Sequence, residues 1–159
     1  MKHLPKHLRP RWRYLAVTVE GWPDAEIDRG AFQRALWYAG QNLLGDAGAA
    51  DADLTVLDFD FSDGYGETVV RARRGHADDA RAAVACVDAV DDQPVGVAVR
   101  GTSGTVRACE EKYLGRRPEV PGQSTVVFEN EERAAVGRND AYDVRLDGSF
   151  AGATELDFE

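Results

Sequence analysis

LTVLDFDFSDGYGETVVRARR, residues 54–74, holds two stretches of period two on either side of a glycine-rich break. In the first, Leu57, Phe59 and Phe61 fall on one side and Asp58 and Asp60 on the other, the pattern of a half-buried strand. Ser62 to Gly66 supplies the small and glycine residues of a tight reversal. In the second stretch, Glu67 to Arg74, Val70 and Ala72 alternate with Arg71 and Arg73, and Gly75 stops the pattern. Strands this close in sequence pair antiparallel, because a parallel return needs a crossover of about a dozen residues or more. The segment is therefore a hairpin, and the rest of the chain is fitted around it.

Upstream, Trp12 to Glu20 is rich in β-formers, and Gly21 and Pro23 end it. Asp24 is a candidate N-cap for a helix in which Ile27, Ala31, Ala35, Leu36, Ala39, Leu43 and Leu44 recur at helical spacing, with Gly45 as its close. Downstream, residues 77–90 read as a second helix with Ala80, Val84, Val87 and Val90 inward, and Asp78 and Asp79 suit its positive end. Val95, Val97 and Val99 make a short strand, Gly101 to Thr105 a turn, and Val106 to Leu114 a third helix. The order β-α-β-β-α-β is that of an α+β, ferredoxin-like or RRM-like sandwich, with an extra C-terminal helix. Its open sheet face is expected to carry Tyr14, Ala16, Thr18, Arg71, Arg73, Gly96, Ala98 and Arg100. Small residues at 16, 96 and 98 leave room for the third helix to lie across it. Residues 1–11, with Pro5 and Pro10, read as an extended arm, residues 12–115 as the α/β domain, and residues 116–159 as an acidic extension. Ser124–Phe128 and Ala141–Leu146 are possible strands there, so an added hairpin and a loose tail both remain open.

Acidic residues number 28 against 19 basic ones, a net charge of −9, and only Lys2, Lys6 and Lys112 are lysines. An Asp-rich, Lys-poor surface suits molar salt, where repulsion is screened within a few ångströms. A halophilic source follows, and the negative total then says little against a nucleic-acid partner. The charge is uneven: residues 1–117 hold 16 basic and 18 acidic side chains, residues 118–159 hold 3 and 10. The first 13 residues hold Lys2, Lys6, Arg9, Arg11 and Arg13 and no acid. No apolar run approaches the roughly 18 to 20 residues of a membrane span, and no apolar signal segment follows the basic start, so a cytoplasmic protein is expected. Cys86 and Cys109 form no Cys-x-x-Cys pair and read as small buried apolar residues, not as a zinc site or disulfide.

Three groups could carry chemistry. Arg100-Gly101-Thr102-Ser103-Gly104-Thr105, with Arg107 just inside the helix, can present backbone N–H groups, hydroxyls and cations to a phosphate. Spacing alone favours an ordinary helix start capped by Ser103 or Thr102. The Gly-Lys-Ser/Thr of a nucleotide-binding loop is absent. Lys2, Lys6, Arg9, Arg11 and Arg13, beside Trp12 and Tyr14, suit a nucleic-acid backbone and unpaired bases, or else solubilise the N-terminus. Arg71 and Arg73 would add cations on the open face, or protect a strand edge. His3 and His7 are separated by Pro5 and make a poor metal pair. No Ser-His-Asp grouping or paired carboxylates in an apolar setting are found, and the third strand lacks the stacking aromatics of an RRM.

Arg9-Pro10-Arg11-Trp12-Arg13-Tyr14-Leu15, Val69-Val70-Arg71 and, most specifically, Val99-Arg100-Gly101-Thr102-Ser103-Gly104-Thr105-Val106-Arg107-Ala108-Cys109 resemble, in that order, the archaeal ribonuclease P protein component 2 family, relatives of a eukaryotic ribonuclease P and MRP subunit. The resemblance covers about residues 1–115. It implies an RRM-like fold, pairing with protein component 3, and a subunit that is not catalytic alone. It implies a role in supporting the ribonuclease P RNA as that RNA, with its Mg²⁺ ions, removes the 5′ leader of precursor tRNA. No cofactor bound by the protein itself is implied. RNA contact would then fall on Lys2, Lys6, Arg9, Arg11, Arg13, Arg71, Arg73, Arg100, Thr102, Ser103, Gly104, Thr105 and Arg107. Two other readings fit the element order. A small phosphohydrolase would need an arginine and an asparagine converging on a loop, yet Asn42, Asn130 and Asn139 are all remote in sequence from the glycine turn. A dimeric ligand-binding module would want a dry sheet face where Arg71 and Arg73 stand.

Overall fold

Asp63 and Gly64 both adopt positive φ, 52° and 79°, the geometry a two-residue reversal demands for strands of right-handed twist. In the computed structural model this reversal joins β2 (Thr55–Ser62) to β3 (Tyr65–Arg73). The structure describes Pro5 and residues 11–117, 122–138 and 141–158. The expected extended arm therefore lies, apart from Pro5 and Arg11, outside the described residues.

Strand β1 (Trp12–Gly21) runs between β3 and β5 (Gln93–Ser103), antiparallel to both. A two-residue strand, β4 (Ala89–Val90), hangs on the outer edge of β5. The sheet order β2-β3-β1-β5-β4 is the ferredoxin-like order with that one addition. Helices α1 (Arg29–Ala52) and α2 (Ala77–Ala85) cover one face. Between them and the sheet lie Leu15, Val17, Val19, Phe32, Leu36, Val70, Val84 and Val90, all fully buried. Gln33 is buried too, donating to the Leu54 carbonyl at 3.2 Å and accepting from the Val56 N–H at 2.7 Å. That clamp satisfies backbone groups where β2 begins, and so ties α1 to the edge of the sheet.

Several elements depart from the sequence reading. Asp28, not Asp24, caps α1, accepting from the Ala31 N–H at 2.8 Å. Gly45 does interrupt α1 where expected, with non-helical dihedrals (φ 73°, ψ 171°), but a second helical stretch follows it directly and runs to Ala52. Helix α2 stops at Ala85, and Val87 and Val90 reach the core from the connection that follows. Cys86 is exposed, unlike Cys109. In β2 a register shift between Val56 and Phe59 breaks the alternation, so Leu57 faces away from Phe59 and Phe61.

Helix α3 (Val106–Tyr113) lies on the other face of the sheet, as expected, but of the small residues at 16, 96 and 98 only Ala16 joins its contact cluster. Cys109 is fully buried against Ala16 and Val69, with Tyr14, Leu57, Tyr113 and Leu114 around them. Residues 122–158 build a second antiparallel sheet: β6 (Gln123–Phe128), β7 (Glu131–Arg138), β8 (Ala141–Leu146) and β9 (Ser149–Ala153), in sequence order. A short 3₁₀ turn, Glu155–Asp157, follows. One face of this sheet holds a small core of Ala135, Val144 and Ala153 with Phe158 beside it. From the other face Phe150 stacks on Trp22 with centroids 5.3 Å apart, and Arg138 donates to the Gly21 carbonyl and, at 2.7 Å, to Asp143.

Candidate nucleic-acid interface

Period-two geometry places Trp12, Tyr14, Ala16 and Thr18 of β1 on the α3 side of the sheet, and register aligns their neighbours. Arg73 stands opposite Trp12, while Arg71, Tyr14 and Ser103 form one row across three strands. The Arg71 guanidinium lies over the Trp12 ring at 4.0 Å, and that of Arg73 at 5.6 Å from the same centroid. Contacts this close between cation and indole are attractive by about 0.5–2 kcal/mol, depending on desolvation. Arg11 and Arg74 adjoin them, joined by a backbone hydrogen bond of 2.9 Å from the Arg74 N–H to the Arg11 carbonyl. Arg13, on the opposite face of β1, reaches to 3.9 Å from where a side chain at Gly104 would stand.

Five arginines thus gather where β1 begins and β3 ends. Their neutralisation is sparse. Arg73 approaches Asp53 at 3.7 Å, both half-exposed, and a pair of that kind is worth about 0–1 kcal/mol. Arg11, Arg13, Arg71 and Arg74 have no carboxylate partner among the described residues, and the buried Nε of Arg71 makes no hydrogen bond. A buried donor left unpaired costs about 1–3 kcal/mol, so Arg71 is held by packing at some expense.

The glycine turn is rebuilt by the structure. Strand β5 runs on to Ser103, with Gly101, Thr102 and Ser103 paired to Ala16, Leu15 and Tyr14. The register shifts between Ala16 and Val17, leaving Arg100 as the extra residue of a bulge. Only Gly104 and Thr105 separate strand from helix. Thr105, not Ser103 or Thr102, caps α3, accepting from the Ala108 N–H at 3.1 Å. Gly101 has a different use. A Cβ there would stand 2.2 Å from the Tyr113 ring, so its missing side chain is what seats the end of α3 on the sheet. Sequence reasoning missed that contact, although a glycine inside a strand is itself the signal of a close approach.

The remaining candidates are distributed as follows. Arg100 is exposed and donates to Thr18 Oγ1 at 3.0 Å, away from the Trp12 end. Arg107 is exposed on α3 and pairs with Glu111 at 2.9 Å. Thr102 and Ser103 are half-buried, Gly104 and Thr105 exposed. Lys2, Lys6 and Arg9, and the His3 and His7 pair, lie outside the described residues. Among the described residues no cluster of His, Cys, Asp and Glu suits a metal ion, and no helix is long and apolar enough to cross a membrane. His76 meets the Asp79 carboxylate at 3.2 Å across one helical turn. Burial pushes the Cys109 thiol up to about 11, with Glu110 adding to the shift, and its Sγ donates to the Tyr14 carbonyl at 3.6 Å.

Comparison with known proteins adds an independent line. Residues 13–114 match the profile of the Rpp14/Pop5 family. A ribonuclease P protein component 2 from Halorubrum lacusprofundi is 64% identical over 159 residues, covering 100% of each chain. Another from Haloarcula marismortui is 61% identical over 160 residues, covering 99% of each. A chain in the cryo-electron microscopy structure of yeast ribonuclease MRP aligns with a TM-score of 0.47 at 15% identity, over 63% of this chain and 79% of that one.

Proposed function

The chain belongs to the Rpp14/Pop5 family of ribonuclease P protein subunits, and on that premise we propose that it binds and positions the ribonuclease P RNA while that RNA removes the 5′ leader of precursor tRNA. Catalysis belongs to the RNA and its Mg²⁺ ions, and the protein works with component 3 and the other protein subunits. The observation that carries the reading is the gathering of Arg11, Arg13, Arg71, Arg73 and Arg74 at the end of the sheet, with Arg71 and Arg73 at the Trp12 ring, in a chain of net charge −9. Guanidiniums of which only Arg73 meets a carboxylate among the described residues suit polyanionic backbone, which they meet bidentately. Supporting a fold of RNA needs fixed cations and donors, not a proton-transfer pair, and this end of the sheet offers the former.

In molar salt little free energy comes from counterion release. Binding then rests on hydrogen bonds, stacking and protein partners. The reading is tested by reconstitution in molar KCl. The purified chain alone is expected to leave precursor tRNA uncut, and to raise cleavage when added to the cognate RNA with component 3. Cleavage by the RNA-free protein, or no stimulation in any combination, would contradict it.

A further inference from the structure

Helix α3 removes most of the sheet face on which an RRM-like fold would stack bases. Ala16, Val69 and Gly101 lie beneath it, and Tyr14 is drawn into its contact cluster. One aromatic on that face escapes. Trp12 stands at the end of β1, only half-buried and outside the α3 cluster, with Arg71 and Arg73 at its ring and Arg11 and Arg74 adjoining. We propose that Trp12 is a stacking site for a single unpaired base of the RNA, its flanking phosphates met by Arg71 and Arg73. The inference rests on the RNA-subunit reading above and names what that end of the sheet recognises.

The chemistry favours an unpaired nucleotide over a duplex. Bases within a helix are already stacked and cannot reach an indole, whereas a bulged or loop base offers a free π-face. The site has room for one base and not a run, because the next aromatic along β1, Tyr14, is already packed against α3. Stacking is not screened by salt as phosphate contacts are, so this contact keeps its strength in the medium that weakens the others.

The test uses the complex reconstituted with its RNA and protein partners in molar KCl. Bases of the RNA are probed for chemical accessibility with wild type, Trp12→Phe and Trp12→Leu. Both substitutions keep an apolar side chain against Arg71, but only phenylalanine keeps a π-face. One or two unpaired bases are expected to be protected by wild type and Trp12→Phe and exposed by Trp12→Leu, with protein association weakened about tenfold in the leucine variant. Equal protection by the two variants would overturn the stacking site while leaving the RNA-subunit reading standing. A wild-type complex with no protein-dependent protection anywhere would overturn both.

Discussion

The arginines of the two sheets are used in opposite ways. In the second sheet Arg133 meets Glu131 and Asp147, Arg138 meets Asp143 and Glu20, and Arg145 meets Asp24 and lies over Trp22 at 4.9 Å. The cations of that sheet are occupied in holding the strands to each other or to the segment that follows β1. At the end of the first sheet Arg11, Arg13, Arg71 and Arg74 meet no carboxylate among the described residues, although the chain as a whole has acid to spare. Charge left without a carboxylate among the described residues is what the proposed RNA contact requires. The arginine-poor second sheet, within a segment carrying 3 basic and 10 acidic side chains, spends its few cations on structure.

The largest expected effect concerns the seat that shapes the basic end. Gly101→Ala places a methyl against the Tyr113 ring and should destabilise the chain by about 2–3 kcal/mol, read by chemical denaturation. Adding Tyr113→Ala should recover part of the loss, since the clash is with that ring. Equal stability of Gly101→Ala and wild type would mean that α3 is not seated there. A smaller effect separates the two sheets. The Arg138 side chain is 11% exposed, and truncating it to alanine removes its charged hydrogen bonds to Gly21 and Asp143. A cost of about 1.5–3 kcal/mol is expected, with faster proteolysis within the second sheet and unchanged RNA association. RNA association that falls as far as in the arginine variants of the first sheet would blur the comparison.

The smallest effect is chemical. Exposed Cys86 should react with a maleimide near pH 8, while Cys109 should not until the chain unfolds. A thiol at about 11 when folded, above its unfolded value, favours the fold in its protonated form. That contribution is complete below the unfolded value of about 8.5 and is lost as the pH rises toward 11. Cys109→Ala should therefore be less stable overall but flatter in stability across that pH range. An unchanged slope would show that the thiol is not the titrating group.

Much of the first domain was legible because its signals are local. The Asp-Gly reversal, the alternation in β3 and the helical spacing of Ala31 and Leu36 each follow from backbone geometry within a few residues. Elements misplaced in the sequence reading depend on distant neighbours. The bulge that turns Leu57 from Phe59 is set by pairing with β3, and the extension of β5 to Ser103 by pairing with β1. Strands β7 and β9 were missed because Glu131, Glu132, Gly137 and Gly152 dilute any apolar alternation, and their buried side of Ala135 and Ala153 is small. For the candidate site, the arginines were visible as a basic, acid-free stretch with Trp12 beside it. That Arg71 and Arg73 converge on that indole required the register of β1 on β3, which no periodicity encodes.

The central claim is that the unpaired arginines of the first sheet face RNA and those of the second do not. It is tested most directly by hydroxyl-radical footprinting of the reconstituted RNA in molar KCl. Arg11, Arg13, Arg71 and Arg74 are changed together to alanine in one protein, Arg133 and Arg145 in another. The account predicts that the first protein loses its footprint on the RNA and weakens association at least tenfold, while the second keeps both. The reverse pattern, or footprints that survive in the first protein, would contradict it.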